Sequence, residues 1–296
     1  MRAIVRNHPV LPFLSTAAGI CTFSMMDATM KGASIEAGVY SALMLRCAFG
    51  TLLMLPVWLL AGWRAPTRAA VRLHALRSTV VAGMALLFFW GLVRVPLAEA
   101  IALSFIAPLI ALYLAAVLLG ETIQPRTIVA SLLGLCGVLV IAGARLVAGT
   151  LGGPSGWGIA AVLVSAVLYA WNLVLQRQQA QLASPPEIAF FQNLLVALIL
   201  GLAAPWLLAW PEASALRAIA LAAALAGLSL LLLSWGYARA EAQALVPIEY
   251  TGFIWAALFG WWKFGEPVTW ATLAGVVLIV IGSWIAARRP GQLVAP

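Results

Sequence analysis

Charge is what this sequence has least of. Aspartate, glutamate, lysine and arginine make up 9% of its 296 residues, whereas 64% are hydrophobic. An ordinary soluble domain carries roughly a quarter charged residues, so this chain cannot cover a water-facing surface and belongs in lipid. Cysteine is nearly missing. Cys21, Cys47 and Cys136 fall inside apolar runs without paired spacing, which excludes a disulfide framework and leaves them as small buried hydrophobes. Histidine is limited to His8 and His74, outside or at the edge of those runs. Neither H-E-x-x-H nor G-x-S-x-G occurs, so no catalytic residues and no metal ligands are expected. No G-x-x-x-x-G-K-[ST] loop occurs either, which argues against ATP as the energy source in this chain, and no cofactor site is expected.

What is present is repetition. Trp90, Gly91, Arg94, Gly120 and Glu121 recur as Trp235, Gly236, Arg239, Gly265 and Glu266, each 145 residues further on. The same offset carries Asp27 onto Asn172, Lys31 onto Gln176 and Gly137 onto Gly282. Such self-similarity marks a duplication of about half the chain. It predicts a first repeat at 1–148, a glycine-rich linker at 149–156 and a second repeat at 157–296, together one membrane unit. Arg2 and Arg6 before an apolar run could open a signal peptide. That run aligns with Trp157 to Gln176, so it is expected to stay as the first helix.

Continuous apolar windows of about 20 residues suit helices, whereas barrel strands would alternate. Ten spans are expected: Pro12–Met30, Val39–Gly62, Ser78–Arg94, Ala100–Gly120, Thr127–Ala144, Trp157–Leu175, Ile188–Trp210, Ala218–Tyr237, Ala242–Trp262 and Val268–Ala287. An odd number per copy turns the second copy over. The expected fold is therefore an all-α membrane protein, ten transmembrane helices as two five-helix inverted repeats, an architecture that recurs among secondary transporters. With the N-terminus inside, eleven basic residues, Arg77 among them, fall in cytoplasmic segments. Five, Lys31 among them, fall outside. Both termini are thus expected in the cytoplasm, with an inner-membrane location. Arg64, Arg68 and Arg72 recur every four residues, as in a short helical turn on an anionic membrane surface. Basic loops also account for the net charge of +8 without nucleic acid.

The paired Gly120-Glu121 and Gly265-Glu266, a central Pro108, and the run Pro247-Ile248-Glu249-Tyr250 before Trp255-Ala256-Ala257 resemble the EamA-type repeat of the drug/metabolite transporter superfamily. Within it the chain is similar to the YddG-like amino-acid exporters. The resemblance covers nearly the whole chain. It implies a ten-helix inner-membrane carrier with a cavity lined by the first, third, fourth, sixth, eighth and ninth helices. The second copy departs from the first in having Phe253 where Pro108 stands, so the halves are not expected to be interchangeable.

Ionisable groups within the spans are costly in hydrocarbon and usually face a bundle interior or a wet cavity. Asp27, Arg46 and Glu249 are the three. Asp27 and Arg46 can neutralise each other as an ion pair, or Asp27 can serve a substrate or a proton. Ser24, Asp27 and Lys31 share one helical face, as do Tyr169, Asn172 and Gln176, so the stripes form either facing cavity walls or interhelical hydrogen bonds. Glu249, matched by Ser104, can hold an ammonium group, exchange a proton, or sit hydrogen-bonded against a neighbouring helix. Pro108 should kink its helix. Phe88, Trp90, Trp235, Tyr250 and Trp255 offer aromatic faces to a cationic or planar cargo, with core packing as the alternative. Gly134, Gly137, Gly275 and Gly282 allow close packing within one subunit or across a dimer, leaving monomer or homodimer open.

The function expected is a secondary transporter exporting amino acids, aromatic ones included, by alternating access around a cavity between the repeats. Its partners are a small-molecule substrate and the bilayer. An uptake or exchange carrier for S-adenosylmethionine or riboflavin is the alternative, with an intramembrane enzyme or a channel behind it.

Overall fold

The computed structural model describes residues 10–62, 65–119, 125–147, 153–239, 245 and 248–287. Its regular elements are helices. The first half comprises α1 (Leu11–Ala37), α2 (Val39–Leu60), α3 (Arg68–Leu92), α4 (Leu97–Ser104), α5 (Ala107–Leu119) and α6 (Pro125–Val147). The second comprises α7 (Pro154–Gln179), α8 (Pro185–Gly201), α9 (Ala204–Leu207), α10 (Ala213–Tyr237), α11 (Gly252–Phe264) and α12 (Trp270–Ala287). Among the described residues, Val39–Leu60, Arg68–Leu92, Pro154–Gln176 and Ala213–Tyr237 are long and apolar enough to cross a bilayer. α1 is longer still but more polar, and its Thr16, Ser24, Asp27, Thr29, Lys31 and Ser34 are all buried. Gly38, at φ 79°, reverses the chain between α1 and α2 in a single residue, a conformation that side chains disfavour.

Three helix pairs make the most extensive contacts: α1 on α10, α3 on α7, and α6 on α12. Each includes a glycine that brings backbones together. A Cβ on Gly91 would lie 2.6 Å from the Gly158 carbonyl oxygen, and one on Gly236 would lie 2.4 Å from Thr16 Oγ1. One on Gly137 would lie 2.5 Å from the Gly275 carbonyl oxygen. Gly137 and Gly275 therefore serve packing within the subunit. Ser229 Oγ donates to the Gly19 carbonyl at 2.8 Å across α1–α10, and Ser165 Oγ to the Met84 carbonyl at 2.8 Å across α3–α7.

Several expected boundaries shift. The third span begins ten residues before Ser78, because Thr67 caps its start by accepting from the Ala70 amide at 3.2 Å. Arg68 and Arg72 thus lie in the opening turns of α3 and form no separate surface helix. Arg77 and Lys31 are likewise not loop residues but buried helical ones, so setting these two aside leaves ten basic residues against four at the ends of the spans. The fourth span breaks between α4 and α5. Pro108 has no N–H for the Ser104 carbonyl, and the chain passes through the turn at Phe105–Ile106. The ninth breaks at the matching place without a proline: α11 starts at Gly252, 145 residues after Ala107. There the Thr251 hydroxyl donates to the Ile248 carbonyl at 2.6 Å and so competes with the helical ladder. Phe253 in place of Pro108 therefore does not make the halves differ at this point. Gly120, Glu121, Arg64, residues 149–152 of the linker, and most of 240–247 lie outside the described residues, and the rest of the linker, from Pro154, opens α7.

Candidate functional site

Polar side chains gather at both ends of the bundle and at its middle. At one end, Gly265 adopts the left-handed conformation, φ 65°, that closes α11, with its amide donating to the Trp261 carbonyl at 2.9 Å. The turn aims Glu266 back into the bundle. Its Oε2 accepts from the Leu97 amide at 2.7 Å, at the start of α4, where a carboxylate is favoured by exposed N–H groups. Its Oε1 is paired with Lys31 of α1, whose Nζ also donates to the Val95 carbonyl at 2.6 Å. Lys263 donates to the Ala28 carbonyl at 3.4 Å. The repeated Gly-Glu motif thus has a mechanical meaning here, a cap that delivers a carboxylate to α1 and α4 at once.

The opposite end holds a chain of five buried side chains. Arg77 Nε donates to Asn172 Oδ1 at 2.8 Å and its Nη1 to Gln179 Oε1 at 2.5 Å. Gln179 Nε2 meets His74 Nδ1 at 2.5 Å, and His74 Nε2 meets Glu187 Oε1 at 3.2 Å. Arginine can only donate, so the Gln179 oxygen must face it and the Gln179 NH₂ must donate to Nδ1. That leaves the His74 proton on Nε2, directed at Glu187. Ser184, Pro185 and Pro186 start α8 so that Glu187 falls in its first turn. The His74 ring stacks on Phe191 at 4.8 Å.

Between these ends lie Asp27, Tyr169, Tyr237 and Glu249. Asp27 is 1% exposed and its Oδ2 has no hydrogen-bond partner. The Tyr237 hydroxyl donates to Glu249 Oε1, and Glu249 is exposed. Tyr169 is 38% exposed.

The other expected site residues fall differently. Asp27 and Arg46 form no ion pair. Arg46 turns Nη2 to Cys47 Sγ at 3.6 Å, while Lys31–Glu266 is an ion pair and His74–Glu187 a hydrogen bond. Asn172 holds Arg77, and Ser24 donates to the Gly252 carbonyl at 3.4 Å, tying α1 to α11. Ser104 is spent on the Ala100 carbonyl at 2.9 Å. Pro108 is exposed at the start of α5. Phe88 packs edge-on against Phe89 at 5.3 Å, Trp255 stacks on Phe259 at 6.3 Å, and Tyr250 meets Phe105 edge-on at 5.3 Å. Trp90 and Trp235 each carry an arginine one turn on, with Arg94 3.5 Å and Arg239 4.1 Å from the ring centres. These matched Trp–Arg stacks occupy the ends of α3 and α10. Trp90 also lines, with Tyr40, Trp157 and Leu87, a lateral apolar groove of about 530 Å³.

Sequence reasoning missed His74, Arg77, Gln179 and Glu187 as a group. A signal was there: His74, Arg77 and Ser78 share one face of a helix by their spacing of three and four, once α3 is allowed to begin before them.

Two stretches of the chain, residues 12–143 and 156–288, match the model of the EamA-like transporter family. A pseudopaline exporter of Pseudomonas aeruginosa is 30% identical over 272 residues, covering 90% of this chain and 92% of that protein. An uncharacterized transporter of Archaeoglobus fulgidus is 29% identical over 84% of this chain and 87% of its own length. A crystal structure with 22% sequence identity superposes with a TM-score of 0.63 over 93% of this chain and 96% of that one, which supports the fold.

Proposed function

The chain belongs to the EamA-like transporter family, and on that premise we propose that it is a secondary carrier. It exports amino acids, aromatic ones included, by alternating access about a cavity between the repeats. The observation that carries this reading is that polar and ionisable side chains from both halves of a helical membrane protein, Asp27 and Arg77 from the first and Asn172 and Gln179 from the second, are buried within the bundle. Ionisable groups are kept there against their insertion cost, as in substrate pathways. The exporter among the relatives favours the outward direction.

We read the halves as inverted repeats. Under the offset of 145 the α1–α10 contact exchanges with α3–α7, and the glycine approaches at Gly91 and Gly236 exchange with them. With both termini in the cytoplasm, as the ten-to-four tally favours, the Lys31–Glu266 seam closes the outer end. Counterflow in liposomes tests the reading. Protein preloaded in turn with neutral, cationic, acidic and aromatic amino acids should accelerate entry of the labelled amino acid with saturation. Exchange of riboflavin or S-adenosylmethionine but of no amino acid would overturn the cargo, and unsaturable flux without counterflow would overturn the carrier in favour of a channel.

A further inference from the structure

The lateral groove lies among α2 and α3 of the first half and α7 of the second, and holds about 530 Å³. Tyr40, Trp90 and Trp157 line it near the helix ends on one side of the bundle, and Leu87, Ala160 and Val164 continue it inward. Trp157 to Val164 is a helical rise of about 10 Å, against about 15 Å of hydrocarbon in one leaflet. The groove thus runs from the headgroup boundary, where indole rings are favoured, into the acyl region. Its mean cross-section, that volume over that length, is about 50 Å², roughly half that of a helix 10–12 Å across. Hydrocarbon chains fit it, and a partner's helix does not.

One cation stands at its mouth. Arg94 follows Trp90 by one turn, its guanidinium 3.5 Å from the centre of that ring and its Nη1 donating to the Trp90 carbonyl at 2.6 Å. Ser155, in the first turn of α7, donates to the Arg94 carbonyl at 3.3 Å and holds the residue against the second half. No described carboxylate pairs with Arg94, and the fork of a guanidinium matches phosphate. The duplicate of this place is built differently. Under the offset of 145, Ala160 and Leu87 correspond to Ser15 and Leu232, and Trp157 corresponds to Pro12. There the Ser15 hydroxyl donates to the Leu232 carbonyl at 2.8 Å and bridges the helices, while Trp235 and Arg239 keep the same stack. The Trp–Arg stack is common to both copies, whereas the seam beside it is bridged in one and hollow in the other.

We propose that the groove binds an anionic phospholipid, an acyl chain lying along Leu87, Ala160 and Val164 and the phosphate on Arg94. A headgroup with an ammonium group would bring a second cation beside the guanidinium, so phosphatidylglycerol is preferred over phosphatidylethanolamine. The site requires a chain that spans the bilayer and no particular cargo.

The full chain, purified in detergent, is titrated with each lipid, and bound lipid is counted by native mass spectrometry. Wild-type protein should bind its first phosphatidylglycerol about tenfold more tightly than phosphatidylethanolamine, the scale of one charged hydrogen bond. Arg94→Gln should remove that preference, and Arg239→Gln, the control on the bridged copy, should keep it. Ala160→Phe fills the groove from an exposed position and should weaken the binding of both lipids. Equal affinity for the two lipids in wild-type protein, or the same loss of preference in Arg239→Gln as in Arg94→Gln, would overturn the proposal. Should Arg94→Gln fail to fold, Ala160→Phe carries the test, and undiminished binding there would reject the site. A dimer in place of bound lipid, dissociated by Ala160→Phe, would assign the groove to a second copy and reject it as well. Failure of every solute in counterflow would overturn the carrier and leave the lipid site standing.

Discussion

The two ends of the bundle solve the same problem in opposite ways. At the Lys31 end a buried cation meets Glu266, which also satisfies the first amide of α4, so charge and hydrogen bonds close within the chain. At the Arg77 end a buried cation meets two amide oxygens, and its nearest carboxylate along the relay stands two side chains away. The first arrangement is complete as it stands. The second has geometry without neutralisation. Matched sequence does not produce matched chemistry here: Lys31 corresponds to Gln176 and Asp27 to Asn172, so the duplication has kept the scaffold while the charges diverged.

Breaking the complete end should cost most. Glu266→Gln removes the carboxylate paired with the buried Lys31 and should lower stability by about 3–5 kcal/mol. Lys31→Met together with Glu266→Gln should recover a large part, measured by thermal unfolding of purified protein in detergent. Equal stability of the single and double variants would mean the seam is not an ion pair. Next, Gly137→Ala should cost about 1–3 kcal/mol by overpacking α6 against α12. Gly143→Ala, where an added Cβ meets nothing within 4 Å, should gain about 0.5–1 kcal/mol from helix propensity. Similar effects at both would dissolve the contrast between the packed and open faces of α6.

At the incomplete end, Gln179→Glu supplies Arg77 with the carboxylate it lacks. Stability should hold or rise by about 1 kcal/mol, read from thermal unfolding in detergent. A clear loss would mean that Arg77 is already neutralised in the native chain. Ser104→Ala should change least, within about 0.5 kcal/mol and with normal counterflow, since its hydroxyl is spent inside its own helix.

The membrane class, the helices and the duplication were legible because apolar run length and a fixed offset are properties of sequence alone. Three readings failed for physical reasons. Arg77 and Lys31 looked like loop charges because hydropathy cannot see a partner on another helix, and Asn172 or Glu266 lies far away in sequence. Pro108 looked like the cause of a difference between the halves, but a hydroxyl–carbonyl bond at Thr251 breaks the other copy equally well. Trp90 and Trp235 looked like cargo platforms, although an arginine four residues on, visible from the start, already covers each ring. Asp27 and Glu249 stand out in the sequence because a carboxylate in an apolar run is conspicuous without any knowledge of its surroundings.

The orientation of the two copies is tested most directly by the sidedness of two matched residues. In a variant with Cys21, Cys47 and Cys136 replaced by alanine, Arg94→Cys and Arg239→Cys are each exposed to a membrane-impermeant thiol reagent in sealed right-side-out vesicles. Labelling of position 94 and protection of position 239 is the expected result, with both labelled once the membrane is opened. Labelling of both positions, or protection of both, in sealed vesicles would contradict it.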